Sequence, residues 1–161
     1  MNKAFTIIEV ILTIAVLSFG IIGVYGFFHS AILFSSNLSF KYTAGYLVQE
    51  GLEVMKNIRD YDSNYFFAAG GGTILDICSL GCQLDYKALR PDPYDDNQFL
   101  NINDDGLYSY DPGIPTRFKR KIIITSVFDK NELMVEVMVM WNNNGKLFSH
   151  QTTGYIYNLY Q

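Results

Sequence analysis

The chain has 161 residues and a formal net charge of −4 at pH 7, with 12 Lys and Arg against 16 Asp and Glu. This length suits one globular domain with one additional segment. The acidic balance and the lack of an Arg-rich stripe argue against tight nucleic-acid binding, so nucleic acid is not indicated as a partner. Hydrophobic residues make up 49% of the chain and charged residues 17%, and the apolar excess is concentrated near the N-terminus.

Residues 5–28 form an apolar run of 24 residues in which Glu9 is the one charged side chain. A helix of this length spans roughly 36 Å, which exceeds the bilayer core of about 30 Å. Lys3 precedes the run and favours a cytoplasmic N-terminus. A secretory signal peptide and a plain membrane anchor remain alternatives. Neither explains Glu9, because a carboxylate at the centre of a span costs about 2.5–3.5 kcal/mol.

The segment Ala4-Phe5-Thr6-Ile7-Ile8-Glu9-Val10 resembles the prepilin-type cleavage and methylation motif of type IV pilins. The resemblance implies a leader of residues 1–4, which prepilin peptidase removes between Ala4 and Phe5, and methylation of the new amino terminus at Phe5. Glu9 would then occupy the acidic fifth position of the mature chain. Ala4 stands where the family usually has glycine.

The resemblance implies a structural subunit of a type IV pilus or pseudopilus, and residues 15–23 are similar to those of minor pilins and pseudopilins. Its partners would be prepilin peptidase, other pilin or pseudopilin subunits and the inner-membrane assembly machinery. The chain would be a single-pass membrane protein with an exported C-terminal domain, and after assembly part of a cell-surface or periplasm-spanning filament. The alternative is an anchored, exported binding or adhesion domain that does not polymerise. The filament's role, the subunit's stoichiometry and the choice between major pilin, minor pilin and pseudopilin stay open.

Glu9 is expected to act in assembly, because it can pair with the amino terminus of a staggered neighbouring subunit. Such a pair in a low-dielectric bundle sets the register of the helices. Gly20, Gly23 and Gly26 favour either close helix packing or ordinary glycine usage in a membrane helix.

Residues 29–60 are predicted to continue the helix as an amphipathic segment, whose apolar stripe packs on a sheet. Glu50 and Glu53 are interpreted as a solvated or subunit-facing helix surface rather than as a pair of catalytic carboxylates. Residues 61–116 are predicted to be loop-rich and variable, and residues 117–161 to form an antiparallel sheet with strands near 119–127, 133–141 and 147–157. The expected class is therefore α+β. The basic run at 116–122 is expected at a strand edge or subunit contact.

Cys78 and Cys82 are four residues apart, which allows either a small disulfide loop or two free thiols. The acidic stretch 95–111 contains Asn101–Gly106, which imitates the start of a calcium loop but also suits a hairpin turn. No metal-ligand spacing, nucleophile elbow or cofactor fingerprint is present in the sequence. We therefore expect a protein without catalytic residues, metal or cofactor, that is, not an enzyme.

Overall fold

A computed structural model of the chain describes residues 6–67, 72–127 and 131–158. The chain divides into two compact units, Met1–Phe40 and Lys41–Gln161. Both units contain part of one long helix, α1, which spans Ile7–Tyr61 and has 55 residues. No proline interrupts this helix, because the first proline of the chain is Pro91.

In the first unit, α1 is a helix whose described apolar side chains are exposed or half-buried. None of its described residues up to Phe40 is buried. The exposed large apolar side chains include Ile7, Phe19, Ile22, Phe27, Ile32 and Phe34. An apolar helix that is exposed on all sides is typical of a segment that meets lipid or other helices rather than water.

In the second unit, the remainder of α1 is amphipathic and buries one stripe against a sheet. The buried residues recur three or four positions apart, which is the spacing of one helix face. They are Ala44, Leu47, Val48, Gly51, Val54, Met55 and Ile58. Burial therefore begins at Ala44, well after His29, where the amphipathic segment was predicted to begin. The apolar residues from Ala31 to Phe40 belong to the first unit, in which no described residue is buried.

The main sheet has five strands and is antiparallel throughout. Its three long strands are β6 (Phe118–Ser126), β7 (Glu132–Asn143) and β8 (Lys146–Tyr157). Two short strands, β1 (Cys82–Gln83) and β2 (Asp92–Pro93), extend it on one side, which gives the order β2-β1-β6-β7-β8. Alternate residues of β7 are buried, as expected for a sheet with one face on the core. The buried set is Leu133, Val135, Val137, Val139 and Trp141. The predicted α+β class is confirmed.

Asn144 and Gly145 form the two-residue turn between β7 and β8. Their φ angles are 53° and 78°, and positive φ at both central residues defines a type I′ turn, which matches the twist of the flanking strands. The strands pair without a bulge from Asn143–Lys146 to Glu132–Tyr157.

The region 61–116, predicted to be loop-rich, contains several very short elements. Two helices, α2 (Ser63–Phe67) and α3 (Ile74–Cys78), follow α1. The region also contains three two-residue strands, β3 (Asn101–Ile102), β4 (Tyr108–Ser109) and β5 (Ile114–Pro115). They form a separate small sheet in the order β4-β3-β5.

Candidate functional site

The residues that the sequence singles out for function lie in separate places. Ala4 and Phe5, the proposed cleavage and methylation residues, lie outside the described residues. Glu9 lies in the first turn of α1, in the first compact unit. Cys78 and Cys82 belong to the second unit. Each of these residues is therefore considered by itself.

Glu9 is held by the backbone at the start of α1, while its side chain is exposed. Its N–H donates to the carbonyl oxygen of Thr6 at 3.1 Å, and its carbonyl oxygen accepts a hydrogen bond from Thr13 Oγ1 at 2.6 Å. A carboxylate in the first turn of a helix interacts favourably with the positive end of the helix dipole. The position therefore tolerates a negative charge better than a position further along the helix.

No described residue neutralises Glu9. From Thr6 to Phe40, Glu9 is the one Asp, Glu, Lys or Arg in the described chain, and the next charged residue is Lys41. No described residue of the first unit can therefore supply an Arg or Lys cation to Glu9.

Between Glu9 and Phe28, the surface of α1 is apolar and carries few polar atoms that need an external partner. The hydroxyl of Ser18 donates to the carbonyl oxygen of Ile14 at 2.7 Å, as Thr13 does to Glu9. Hydroxyls that bond back to the preceding turn are satisfied within the helix, which suits a water-free environment.

A shallow groove lies on this surface where a glycine separates larger side chains. A Cβ atom built on Gly20 would meet no atom within 4 Å, so the notch is open. The groove is lined by Leu17, Gly20, Ile21, Val24, Tyr25 and Phe28, which recur at helical spacing on one face. A small residue between large apolar ones is the arrangement that lets a second helix approach closely.

Cys78 and Cys82 form a disulfide that joins the end of α3 to β1. Both cysteines are fully buried. Thr73 is the N-cap residue of α3, and its N–H and its hydroxyl lie 2.8 and 3.1 Å from Asp76 Oδ2. These two hydrogen bonds hold the pKa of Asp76 below its usual value. The cystine and this capping box fix a helix of one turn that has little stability of its own.

Arg120 is the charged residue whose position the sequence does not reveal. It lies on the core face of β6 with 0% exposure, between α1 and the loop after β1. Its Nη1 lies 2.9 Å from Glu50 Oε1 and 3.0 Å from the carbonyl oxygen of Leu47, and its Nη2 lies 2.6 Å from the carbonyl oxygen of Leu84. The expectation that the basic run lies at a strand edge or subunit contact is therefore wrong for Arg120, because β6 is an interior strand.

Glu50 and Glu53, both in the part of α1 that belongs to the second unit, differ in burial and in ion-pair partner. Glu50 is partly buried and pairs with Arg120, a contact within the unit that the interpretation of Glu50 as a solvated or subunit-facing helix surface did not include. Glu53 is exposed and pairs with Lys56 at 2.7 Å.

Tyr110 lies beside Arg120, and its hydroxyl donates to the Arg120 carbonyl oxygen at 3.4 Å. Burial of the Tyr110 side chain raises its pKa to about 12. This cluster is internal and joins helix, sheet and loop.

The turn that resembles a calcium loop is held by hydrogen bonds from its backbone N–H groups to the side chain of Asn103. The Asn103 Oδ1 atom accepts hydrogen bonds from the N–H groups of Asp105 and Leu107 at 3.0 and 2.9 Å. Gly106 has φ +79°, which glycine adopts without strain. In the ranges that the structure covers, no group of three or more His, Cys, Asp or Glu is placed to hold a metal ion.

Comparisons of the chain with protein-family models, with curated proteins and with solved structures gave no match. The described chain has one helix, α1, that is long and apolar enough to cross a membrane. Its apolar part is exposed rather than buried in a protein core, which favours a membrane anchor over the core helix of a soluble domain.

Proposed function

We propose that the chain is a structural subunit of a type IV pilus or pseudopilus, a minor subunit, that is anchored and assembled through the first half of α1. The observation that carries the proposal is Glu9, an isolated carboxylate on an exposed apolar helix. A carboxylate in that setting is costly unless a cation reaches it. Assembly of like helices would supply both the cation and the apolar surroundings.

The cation is proposed to be the amino terminus of a neighbouring subunit. Cleavage between Ala4 and Phe5 would create a positive charge at the start of each mature helix. Within a bundle of staggered helices, the amino group of one subunit can lie beside Glu9 of another. Since an unpaired charge in low dielectric is destabilising, the pair favours one axial register over its alternatives.

The groove centred on Gly20 supports the same proposal. Without water, the association of apolar helices depends on close packing, and small residues permit it. A neighbouring helix that enters the groove would contact Leu17, Val24 and Phe28 on both sides of the notch. Extraction into a filament would thus exchange lipid contacts for helix contacts.

The proposed location follows from the helix and from Lys3. The N-terminus would lie in the cytoplasm, where positive residues flank a span, and the second unit would be exported. Prepilin peptidase, other subunits and the inner-membrane assembly machinery are the proposed partners. An oxidising compartment outside the cytoplasm suits the Cys78–Cys82 disulfide.

Glu9→Gln tests the proposal, because it removes the charge and keeps the size of the side chain. We expect the variant to reach the membrane at the wild-type level, as measured by membrane fractionation. Its incorporation into sheared filaments should fall about tenfold or more, as expected for the loss of an interaction worth at least about 1.4 kcal/mol.

Glu9→Asp is the matched control, because it keeps the charge at the same turn. We expect it to retain more incorporation than Glu9→Gln. Normal incorporation of Glu9→Gln would contradict the charge-pair proposal. Absence of wild-type chain from filaments, with the protein stably in the membrane, would favour the anchored domain that does not polymerise.

A further inference from the structure

The outer edge of β8 is a long strand edge without a neighbour. In the part of the chain that the structure describes, β8 is the last strand of the sheet and pairs with β7 alone. Its twelve residues pair with β7 without a bulge. The edge is therefore continuous over about 40 Å.

The hairpin determines which backbone groups face outwards. Asn143 and Lys146 close a two-residue turn, and such a closing pair exchanges both of its backbone hydrogen bonds. Every second residue from Lys146 onwards therefore bonds to β7, and the residues between direct N–H and C=O away from the sheet. The outward-facing residues are Leu147, Ser149, Gln151, Thr153, Tyr155 and Tyr157.

The two edges of the sheet differ in their protection. The edge strand β2 has two residues and includes Pro93, and both shortness and proline prevent strand addition. Strand β8 contains no proline and no charged residue after Lys146. Its exposed apolar side chains are Leu147 at 70%, Tyr155 at 53% and Tyr157 at 50%. Edges with these properties accept a further strand.

We propose that the outer edge of β8 binds an uncharged, extended segment of another protein, which adds to the sheet as an antiparallel strand. The unpaired N–H and C=O groups specify an extended backbone. No Asp, Glu, Lys or Arg lies between Leu147 and Tyr157, so a charged side chain on the added strand would lose hydration without an opposite charge directly across from it on β8. An uncharged segment with apolar residues opposite Leu147 and Tyr155 fits the edge best.

The direction of α1 in the second unit argues against a second copy as the occupant. A Cβ atom built on Gly45 would lie 3.9 Å from His150 Nε2, and one built on Gly154 would lie 2.7 Å from Leu52 Cδ1. Helix and strand numbers thus rise together, so α1 runs in the direction of β8. Antiparallel pairing of β8 with β8 would reverse one helix relative to the other. Two chains that enter this unit from one membrane, as the proposed function requires, cannot satisfy that geometry.

The test uses full-length protein in detergent micelles and a fluorescein-labelled peptide with the sequence of residues 147–157. This peptide contains no Asp, Glu, Lys or Arg, and because it is not anchored in a membrane it can approach the edge in either direction. We expect saturable binding by fluorescence anisotropy. Gln151→Pro should weaken it about tenfold or more, because proline removes an outward N–H without removing a bond to β7. Gln151→Ser, which changes the side chain but keeps the N–H, should bind like wild type.

A double variant, Gln151→Lys with Thr153→Lys, gives a second test that does not depend on proline and should also weaken binding, because edge lysines oppose strand addition. Circular dichroism establishes that each variant is folded. The proposal would be overturned if wild type showed no saturable binding, or if the proline and lysine variants bound the peptide as tightly as wild type. Thr153→Cys tests the second copy, since both native cysteines are in the disulfide. A disulfide-linked dimer of this variant in membranes would assign the edge to a second copy and overturn the choice of another protein.

Discussion

Arg120 shows how one residue can connect three parts of the second unit. Its guanidinium is fully buried and contacts a carboxylate and a carbonyl oxygen of α1 and a carbonyl oxygen of the loop after β1. Removal of one member of a buried ion pair leaves an uncompensated charge, which is more destabilising than replacement of both members by apolar groups. The fold therefore depends on both members of the Glu50–Arg120 pair being present together.

We expect Glu50→Leu to lower the free energy of unfolding by about 2–4 kcal/mol, because Arg120 would stay buried without its counter-ion. Adding Arg120→Met should recover part of this loss, so that the two effects are non-additive by about 1 kcal/mol or more. Chemical unfolding followed by the fluorescence of Trp141, the single tryptophan of the chain, measures both quantities.

Glu53→Leu is the control on the same helix, because Glu53 pairs with Lys56 at an exposed surface. Its effect should stay within about 0.5 kcal/mol. Additive effects at Glu50 and Arg120 would show that the two side chains are not energetically coupled.

The position of Arg120 could not be predicted, although the strand that contains it could. The run from Arg117 to Lys121 is basic at every position except Phe118, so the apolar alternation that identifies a buried face is missing. Burial of Arg120 depends on Glu50, which is 70 positions away in the chain. A charge whose partner is so distant in sequence carries no local signal of burial.

At the scale of elements, the strands that were predicted are those long enough to show a period. The alternation from Leu133 to Trp141 and the turn residues at positions 142–145 predict the β7–β8 hairpin. The strands β1 to β5 have two residues each, which is too short for any alternation. They form because neighbouring segments supply their partners, as Cys82 pairs with both Pro93 and Ile122.

The β7–β8 hairpin gives a prediction at this scale. Gly145→Val places a β-branched residue at a φ of 78°, a conformation that costs non-glycine residues about 1–2 kcal/mol and β-branched residues more. We expect the free energy of unfolding to fall by at least about 1 kcal/mol. Asn144→Gly is the matched control, because glycine adopts a φ of 53° without steric cost. Equal stabilities of the two variants would show that the turn relaxes to another conformation.

At the scale of the whole molecule, the two units need different surroundings. The second unit has its own core between α1 and the sheet, whereas no described residue of the first unit is buried. Composition and periodicity predict both parts of α1. The point at which burial begins could not be predicted, because residues such as Ile32 and Phe34 are as apolar as core residues although they are exposed.

Because the proposed assembly depends on the first unit, the residue at which the mature chain begins in its native membrane decides whether the filament proposal holds. We expect the recovered chain to begin at a methylated Phe5, because processing before this residue frees the amino group that is proposed to pair with Glu9. Intact mass and N-terminal sequencing measure the outcome. Ala4→Arg should block cleavage, since a bulky charged residue replaces a small one. Ala4→Gly introduces the residue that is usual in the prepilin-type motif that this segment resembles, and should be processed at least as completely as wild type. A chain that begins near residue 30 would instead identify a secretory signal peptide. The filament proposal would then fail, because the mature protein would lack both Glu9 and the apolar helix through which assembly is proposed.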